Sequence, residues 1–147
     1  MTAPLFPGAK TVSEGEFAGW SYWDSDPFEN RAGPFYMNRD AGGETVCAFR
    51  AEPRHMNTGG FTHGGCLMSF ADFALFSVAQ DAMDGDHGVT LNMGSDFLAP
   101  SKVGQLIEAR GRVVRAGGKT IFVEGLVTAD GEPVLRFNGI IRKIRSN

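Results

Sequence analysis

The sequence lacks the features that mark secreted and membrane-spanning proteins. It has two cysteines in 147 residues, Cys47 and Cys66, and their spacing fits neither a metal site nor a redox motif. We interpret both as buried free thiols of a protein in a reducing compartment. Residues 1–10 lack the charged and apolar regions of a signal peptide, and no apolar run approaches the length of a membrane helix, about 18 residues. We therefore expect a cytoplasmic protein that does not enter a membrane.

Several common kinds of functional site are also missing. The net charge of −3 leaves no general basic surface, so nucleic acid is not an expected partner. The three histidines lack the spacing of a zinc site, and the absence of a Gly-x-Ser-x-Gly elbow argues against a serine hydrolase. Gly118-Lys119-Thr120 resembles the end of a P-loop, but Val113 stands where that motif requires glycine. We interpret this segment as a hairpin turn.

Glycine, by contrast, is abundant, with 20 residues in the chain, about twice its usual share. This favours tight turns and an antiparallel sheet. Residues 34–39 and 44–51 are strand-like and are joined by Asp40-Ala41-Gly42-Gly43, which predicts a hairpin. A short helix is predicted at residues 13–20, with Ser13 as its N-cap. Alternation of apolar and polar residues predicts four further strands, at residues 88–97, 105–116, 119–129 and 133–145.

A long central helix is predicted from about Gly64 to Ala82, where Asp84-Gly85-Asp86 ends it. Apolar residues cover most of its circumference, so we expect it to be buried nearly all round. Its few polar residues fall on one stripe at three- and four-residue spacing: Ser69, Asp72 and Gln80, with Phe76 between them. Such a stripe faces either a cleft or a subunit interface. One long helix packed on a five- or six-stranded antiparallel sheet makes an α+β domain.

Asp72 is the residue that points most directly to chemistry. A carboxylate among so many apolar side chains is costly unless it is paired or used. The double glycine Gly64-Gly65 gives the helix an N-terminus that tolerates an anion, and a carboxylate nearby can serve as a base. The alternatives are structural: Asp72 is a buried polar residue bonded to backbone N–H groups or to Thr90, and Asn57 is a turn residue of an Asn-Thr-Gly-Gly loop.

The pattern Asn57-x-x-Gly60-x-x-His63-Gly64-Gly65, with Asp72 nine positions after the histidine, resembles the hot-dog acyl-CoA thioesterases of the PaaI-like (phenylacetyl-CoA thioesterase) family. The resemblance extends through residues 88–93, 97–104 and 118–120, and it covers roughly residues 34–145. It implies a hot-dog fold, in which the long helix packs on the antiparallel sheet. The chain then divides into an aromatic-rich N-terminal extension, residues 1–33, and a thioesterase domain, residues 34–147.

The resemblance also implies an activity: hydrolysis of an aryl- or medium- to long-chain acyl-CoA to the free acid and CoA, without a metal or cofactor. The carboxylate of Asp72 would act as general base on a water, or attack the carbonyl as nucleophile. The side-chain amide of Asn57 and the backbone N–H of Gly64 would polarise the thioester carbonyl. Thr90 holds the position at which family members often carry a hydroxyl that orients the carboxylate or the water.

Further roles come from the same resemblance. His63 and Gly65 would shape the substrate-binding loop, and Lys119 or Arg115 would meet the phosphate groups of CoA. In the family, the asparagine and glycine come from one subunit and the carboxylate from the other. The resemblance therefore implies a homodimer, or a dimer of dimers, with active sites at the subunit interface.

Two other functions are compatible with the same motifs. A hot-dog hydratase or dehydratase would pair a loop histidine with an acidic residue, roles in which His63 and Asp72 can be imagined. A non-catalytic module would bind acyl-CoA without cleaving it. The aromatic and acidic character of residues 1–33 argues against a transcription regulator of this fold.

Overall fold

The computed structural model describes residues 5–145, which form eight strands and three α-helices. Residues 1–4 and 146–147, the outer ends of the two predicted domains, lie outside the described residues. The strands are β1 (Lys10–Thr11), β2 (Ser21–Tyr22), β3 (Tyr36–Arg39), β4 (Thr45–Arg50), β5 (His87–Phe97), β6 (Leu106–Ala116), β7 (Thr120–Ala129) and β8 (Glu132–Ile144). The helices are α1 (Pro27–Ala32), α2 (Gly64–Val78) and α3 (Gln80–Met83), and a 3-10 turn spans Pro53–His55.

All the strands belong to one antiparallel sheet with the order β1-β2-β3-β4-β6-β7-β8-β5. The predicted α+β architecture is confirmed, and β3 to β8 are the six strands that the sequence predicts. The predicted hairpin is β3–β4, in which Tyr36 pairs with Ala48 and Arg39 with Thr45. The expected five or six strands are too few, because β1 and β2 extend one edge of the sheet. Each has only two residues, too few to show any alternation.

The central helix is present but ends earlier than predicted. It runs as α2 to Val78, pauses at Ala79, whose ψ is −1°, and continues as the short α3. Asp84 and Gly85 then take left-handed conformations, with φ of 52° and 81°, and end the helical segment as expected. Seven of the 15 residues of α2 are buried, and Gly65 is its one exposed residue. The helix is thus buried on one side and half-buried on the other, which is less than the nearly complete burial predicted.

Aromatic packing fixes the position of α2 against the sheet. The ring of Phe70 lies 4.8 Å from that of Phe49 and 5.2 Å from that of Phe35, measured between centroids. Such aromatic pairs each contribute about 0.5–1.5 kcal/mol beyond the area they bury. At the other end of the helix, Leu75 contacts the backbone at Gly139 so closely that no side chain would fit there. The half-buried stripe of α2, which carries Asp72, is therefore held on the opposite side.

The N-terminal segment differs from its prediction. The prediction of a helix at residues 13–20 is wrong. This stretch forms turns, in which Gly15 and Gly19 have φ of 87° and 89°. A right-handed helix cannot pass through such conformations. The helix of this region is α1, where Asp26 accepts a hydrogen bond from the Glu29 N–H (3.0 Å) and proline occupies the first turn.

Residues 5–33 are built into the same structure as the rest of the chain. Their strands β1 and β2 join the common sheet, and Phe6 is fully buried in the common core. The indole of Trp23 packs edge-on against Phe73 of α2, with ring centroids 5.4 Å apart. The division of the chain into two domains between residues 33 and 34 stays a prediction.

Candidate active site

Asp72 and Thr90 meet where α2 packs on β5. The Thr90 hydroxyl donates a hydrogen bond to Asp72 Oδ1 at 2.5 Å, and the carboxyl group is half-buried. Burial raises the pKa of Asp72, the Thr90 hydrogen bond opposes that change, and the negative charge of Asp26 adds to it. Because the hydroxyl binds one oxygen, it orients the carboxylate while Oδ2 stays available to accept a proton.

A cavity of about 330 Å³ opens beside Asp72, a size suited to a small ligand group. It lies between the two helices: α1 contributes Asp26, Phe28 and Glu29, and α2 contributes Met68, Ser69 and Asp72. Ser69 and Asp72 of the polar stripe therefore face a cleft. Sequence reasoning missed the α1 residues, although Asp26-Pro27 is a signal for a helix start.

The loop before α2 holds Asn57 in a fixed orientation. Its Oδ1 accepts hydrogen bonds from the N–H groups of Gly59 (2.9 Å) and Phe61 (3.1 Å), so the interpretation as a turn residue is correct. The same geometry leaves the Nδ2 group without an acceptor among residues 5–145, and Asn57 is exposed. A structural role and a donor role are therefore compatible, because they use different atoms of the amide.

At the start of α2, the backbone N–H groups of Gly64 and Gly65 differ in whether they have a hydrogen-bond acceptor. His63 is the N-cap, and its Nδ1 accepts a hydrogen bond from the Gly65 N–H at 2.8 Å. Gly65 therefore has no N–H left for a substrate, and His63 shapes the helix start. The Gly64 N–H has no acceptor within the described part of the chain. A Cβ atom on Gly64 would lie 3.2 Å from the Phe97 ring, so the ring lies close to the backbone at this position.

One chain does not bring the two halves of the predicted site together. Gly64 and Asp72 lie eight residues apart on one helix, a separation of about 12 Å along its axis at about 1.5 Å per residue. A carbonyl group polarised by Gly64 would therefore be out of reach of Asp72 in the same chain. The structure joins Asp72 to Thr90 and separates both from Gly64.

Arg115 and Lys119 are exposed near the turn between β6 and β7, and neither forms an ion pair with any residue from 5 to 145. Arg142 of β8 pairs with Thr120 on one side and with Val89 on the other. The turn is therefore at the same end of the sheet as Thr90, about 10 Å away across two strand spacings.

The two cysteines are free, as the sequence predicts, but only Cys47 is buried, whereas Cys66, also predicted to be buried, is half-buried. Burial raises the pKa of the Cys66 thiol to about 11, which makes it a poor nucleophile at neutral pH. None of the helices between residues 5 and 145 has the length and hydrophobicity to cross a membrane.

Replacing Thr90 by valine tests whether its hydroxyl supports an ionised Asp72. The hydrogen bond lowers the pKa of Asp72, so its loss should raise that pKa and move the acidic limb of the activity profile to higher pH. We expect kcat/KM at neutral pH to fall on the order of tenfold, the cost of losing one hydrogen bond to a charged group. Thr90→Ser, which keeps the hydroxyl, should retain the wild-type profile. If Thr90→Val does not shift the acidic limb to higher pH, the Thr90 hydroxyl does not support the ionised form of Asp72.

Comparison with known proteins finds similarity to thioesterases and to an esterase. The family model for the Thioesterase superfamily matches residues 59–135, a segment that contains Gly64, Asp72 and Thr90. A Pseudomonas aeruginosa protein named as an esterase, PA0474, is 30% identical over 117 residues, which are 79% of this chain and 87% of that protein. Human acyl-coenzyme A thioesterase 13 is 26% identical over 95 residues, 65% of this chain and 68% of the human protein.

A solved structure matches over a similar extent. It is a mutant of the phenylacetic acid degradation protein PaaI from Thermus thermophilus, with 27% identity and a TM-score of 0.66. The match covers 81% of this chain and 100% of that one. Helix α1 lies outside the segment of this chain that the family model matches.

Proposed function

We propose, from the premise that this chain belongs to the thioesterase superfamily, that it hydrolyses an acyl-CoA thioester to the free acid and CoA. The predictions of a PaaI-like hot-dog fold and of a thioester hydrolase are confirmed by the family match and the PaaI structure. The observation that carries the proposed reaction is the Asp72–Thr90 pair at the wall of a cavity.

The proposed chemistry needs no group beyond the side chains and backbone of this protein. Asp72 takes a proton from a water as the water attacks the thioester carbonyl. The oxyanion that forms accepts hydrogen bonds from the Gly64 N–H and the Asn57 Nδ2 group. Its collapse breaks the C–S bond, and the departing thiolate takes the proton from Asp72. Direct attack by the carboxylate is the alternative form of the mechanism, and both forms require Asp72 to be ionised.

The separation of Gly64 from Asp72 supports a homodimer with shared active sites. Strand β5 lies at the edge of the sheet, is 11 residues long, and exposes Leu91 (57%) and Phe97 (57%). Natural proteins usually cover so long and apolar an edge. If β5 pairs antiparallel with its copy, the Phe97 end of one strand, which touches Gly64, comes to the Thr90 end of the other. Assembly of two such dimers into a tetramer stays a prediction.

The substrate is proposed on the same grounds. Arg115 and Lys119, exposed and without ion pairs among residues 5–145, are suited to the phosphate groups of CoA. The cavity beside Asp72 offers room for part of the acyl group, for which an aryl or a medium to long alkyl chain is our proposal. The cavity combines apolar atoms of Phe28 and Met68 with carboxyl groups.

Release of free thiol from a panel of aryl- and alkyl-CoA thioesters tests the proposed function. We expect the wild-type protein to release thiol from at least one member of the panel, and the ranking of rates to identify the acyl group. A protein that adds water to an enoyl-CoA without releasing thiol would be a hydratase. A rise in melting temperature with acyl-CoA but no turnover of any substrate would identify a binding module. Either result would refute the thioesterase proposal.

A further inference from the structure

Glu29 shares the cavity with Asp72 but lies on a different helix. It is a half-buried residue of α1, while Asp72 lines the α2 side. No hydrogen bond or ion pair engages its carboxyl group within residues 5–145. A buried carboxyl group without a partner is normally disfavoured. Its place in this cavity, next to the proposed base, therefore calls for a functional explanation.

Helix α1 holds Glu29 rigidly in place. The Asp26 side chain caps its first turn. At its other end, the Arg54 guanidinium donates to the carbonyls of Arg31 (3.0 Å) and Gly33, and His55 Nε2 lies 2.9 Å from the carbonyl of Ala32. These contacts come from the 3-10 turn just before the Asn57 loop. The wall that carries Glu29 is thus fixed to this turn. In the proposed dimer, the Asn57 loop that follows the turn serves the other active site.

The two carboxyl groups have different surroundings. Asp72 receives the Thr90 hydroxyl, which favours its charged form. Glu29 receives no donor from residues 5–145, and burial together with the charges of Asp26 and Asp72 raises the pKa of Glu29 to about 8. The other titratable group near Glu29 is the Cys47 thiol of β4, whose pKa burial raises to about 12. Three carboxyl groups therefore line the cavity, those of Asp26, Glu29 and Asp72. The Thr90 donor favours the charged form of Asp72, whereas Glu29 has no donor among the described residues and shares the cavity with two other carboxyl groups, which favours its neutral form.

We propose that Glu29 is a pH switch of the thioesterase reaction: the enzyme is active while Glu29 is a neutral acid and is switched off when Glu29 loses its proton to solvent. The inference rests on the proposed function. Ionised Glu29 would add a further negative charge, besides those of Asp26 and Asp72, to the cavity where the oxyanion develops. In a partly dehydrated site, such a charge raises the energy of the transition state. Within the described residues, Asp26, Glu29 and Asp72 do not form a group that could hold a metal ion.

The test is the pH dependence of kcat/KM for thiol release. For wild type we expect a fall on the alkaline side with a midpoint near pH 8, about tenfold for each further pH unit. Glu29→Gln should abolish this fall. We compare kcat/KM at high pH with kcat/KM at neutral pH for each protein, and we expect this ratio to be about tenfold or more larger for Glu29→Gln than for wild type. Glu29→Asp, which keeps an ionisable group, should retain an alkaline fall.

Glu44→Gln is the matched control, since Glu44 is exposed on the β3–β4 hairpin and its replacement should leave the profile as in wild type. If Glu29→Gln does not fold, as judged by circular dichroism and melting, Glu29→Ala removes the same titrating group. Two results would overturn the proposal. One is an alkaline fall that persists in a folded variant without the Glu29 carboxyl group, and the other is a wild-type profile without an alkaline fall. Failure of the thioesterase function itself is distinct, because wild type would then release no thiol at any pH.

Discussion

Replacing Asp72 by asparagine is expected to reduce kcat for thioester hydrolysis by about 10²–10⁴, the usual effect of losing a general base. An asparagine side chain has nearly the same shape, and its Oδ1 can still accept the Thr90 hydroxyl that binds Asp72 at 2.5 Å in the wild type. What it lacks is an atom that takes a proton from water at neutral pH. Because half-buried Asp72 costs stability as a charge, the variant should be at least as stable as wild type.

The measurement is thiol release by purified, folded protein, with the melting temperature recorded for each variant. Asp84→Asn is the matched control: Asp84 is exposed beyond α3, has a φ of 52°, and asparagine tolerates that conformation well. Its activity should equal that of wild type. If Asp72→Asn folds normally and keeps full activity, the carboxylate is structural and the proposed mechanism is wrong.

The strands were predictable because their residues alternate with a clear period, and the central helix because a long apolar segment lies between Gly64-Gly65 and Asp84-Gly85-Asp86. The alternation in β6, where Ile107 and Ala109 are buried and Arg110 and Arg112 are not, specifies one face over many residues. The turn between β7 and β8 carries Gly131, whose φ of 87° favours glycine. An apolar helix can then be buried only by packing on the apolar face of this sheet, which leaves few possible folds.

The N-terminal part of the fold was not predictable in this way. Ser13 and Glu16 carry the composition of a helix start, but Gly15 and Gly19 adopt left-handed conformations that turn the chain. Strands of two residues have no period, and α1 is only six residues long. Nothing in a short helix tells which side of it will pack against another element. The position of Glu29 beside Asp72 is therefore a result of tertiary structure alone.

For the candidate site, the sequence predicted which residues take part but could not place them relative to one another. The contact between Asp72 and Thr90 was foreseen as one of two interpretations, and the structure contains it. The gap between Gly64 and Asp72 follows from helix geometry once both lie on α2. That gap makes the second subunit part of the mechanism, which leads to the prediction with the other large effect.

Two inactive variants are expected to restore activity when they form a mixed dimer. Asn57→Asp keeps the Oδ1 atom that holds the loop through Gly59 and Phe61 but removes the N–H donor. It should lose about 10²–10³ in kcat, as for a missing oxyanion donor. In a dimer of Asn57→Asp with Asp72→Asn, one site receives both substitutions and the other receives neither. The mixed dimer should therefore have about half the wild-type activity.

Co-expression with two different affinity tags, followed by purification on both, isolates the mixed dimer for the thiol-release assay. The two parent homodimers, purified in the same way, are the controls and should remain at their low rates. Asn57→Ala in place of Asn57→Asp should give the same rescue, because the unsubstituted loop then comes from the other chain. If the mixed dimer is no more active than the sum of its parents, each site lies within one chain. Since Gly64 and Asp72 are eight residues apart on a helix, that outcome would mean that Gly64 is not the donor and that the oxyanion is bound elsewhere.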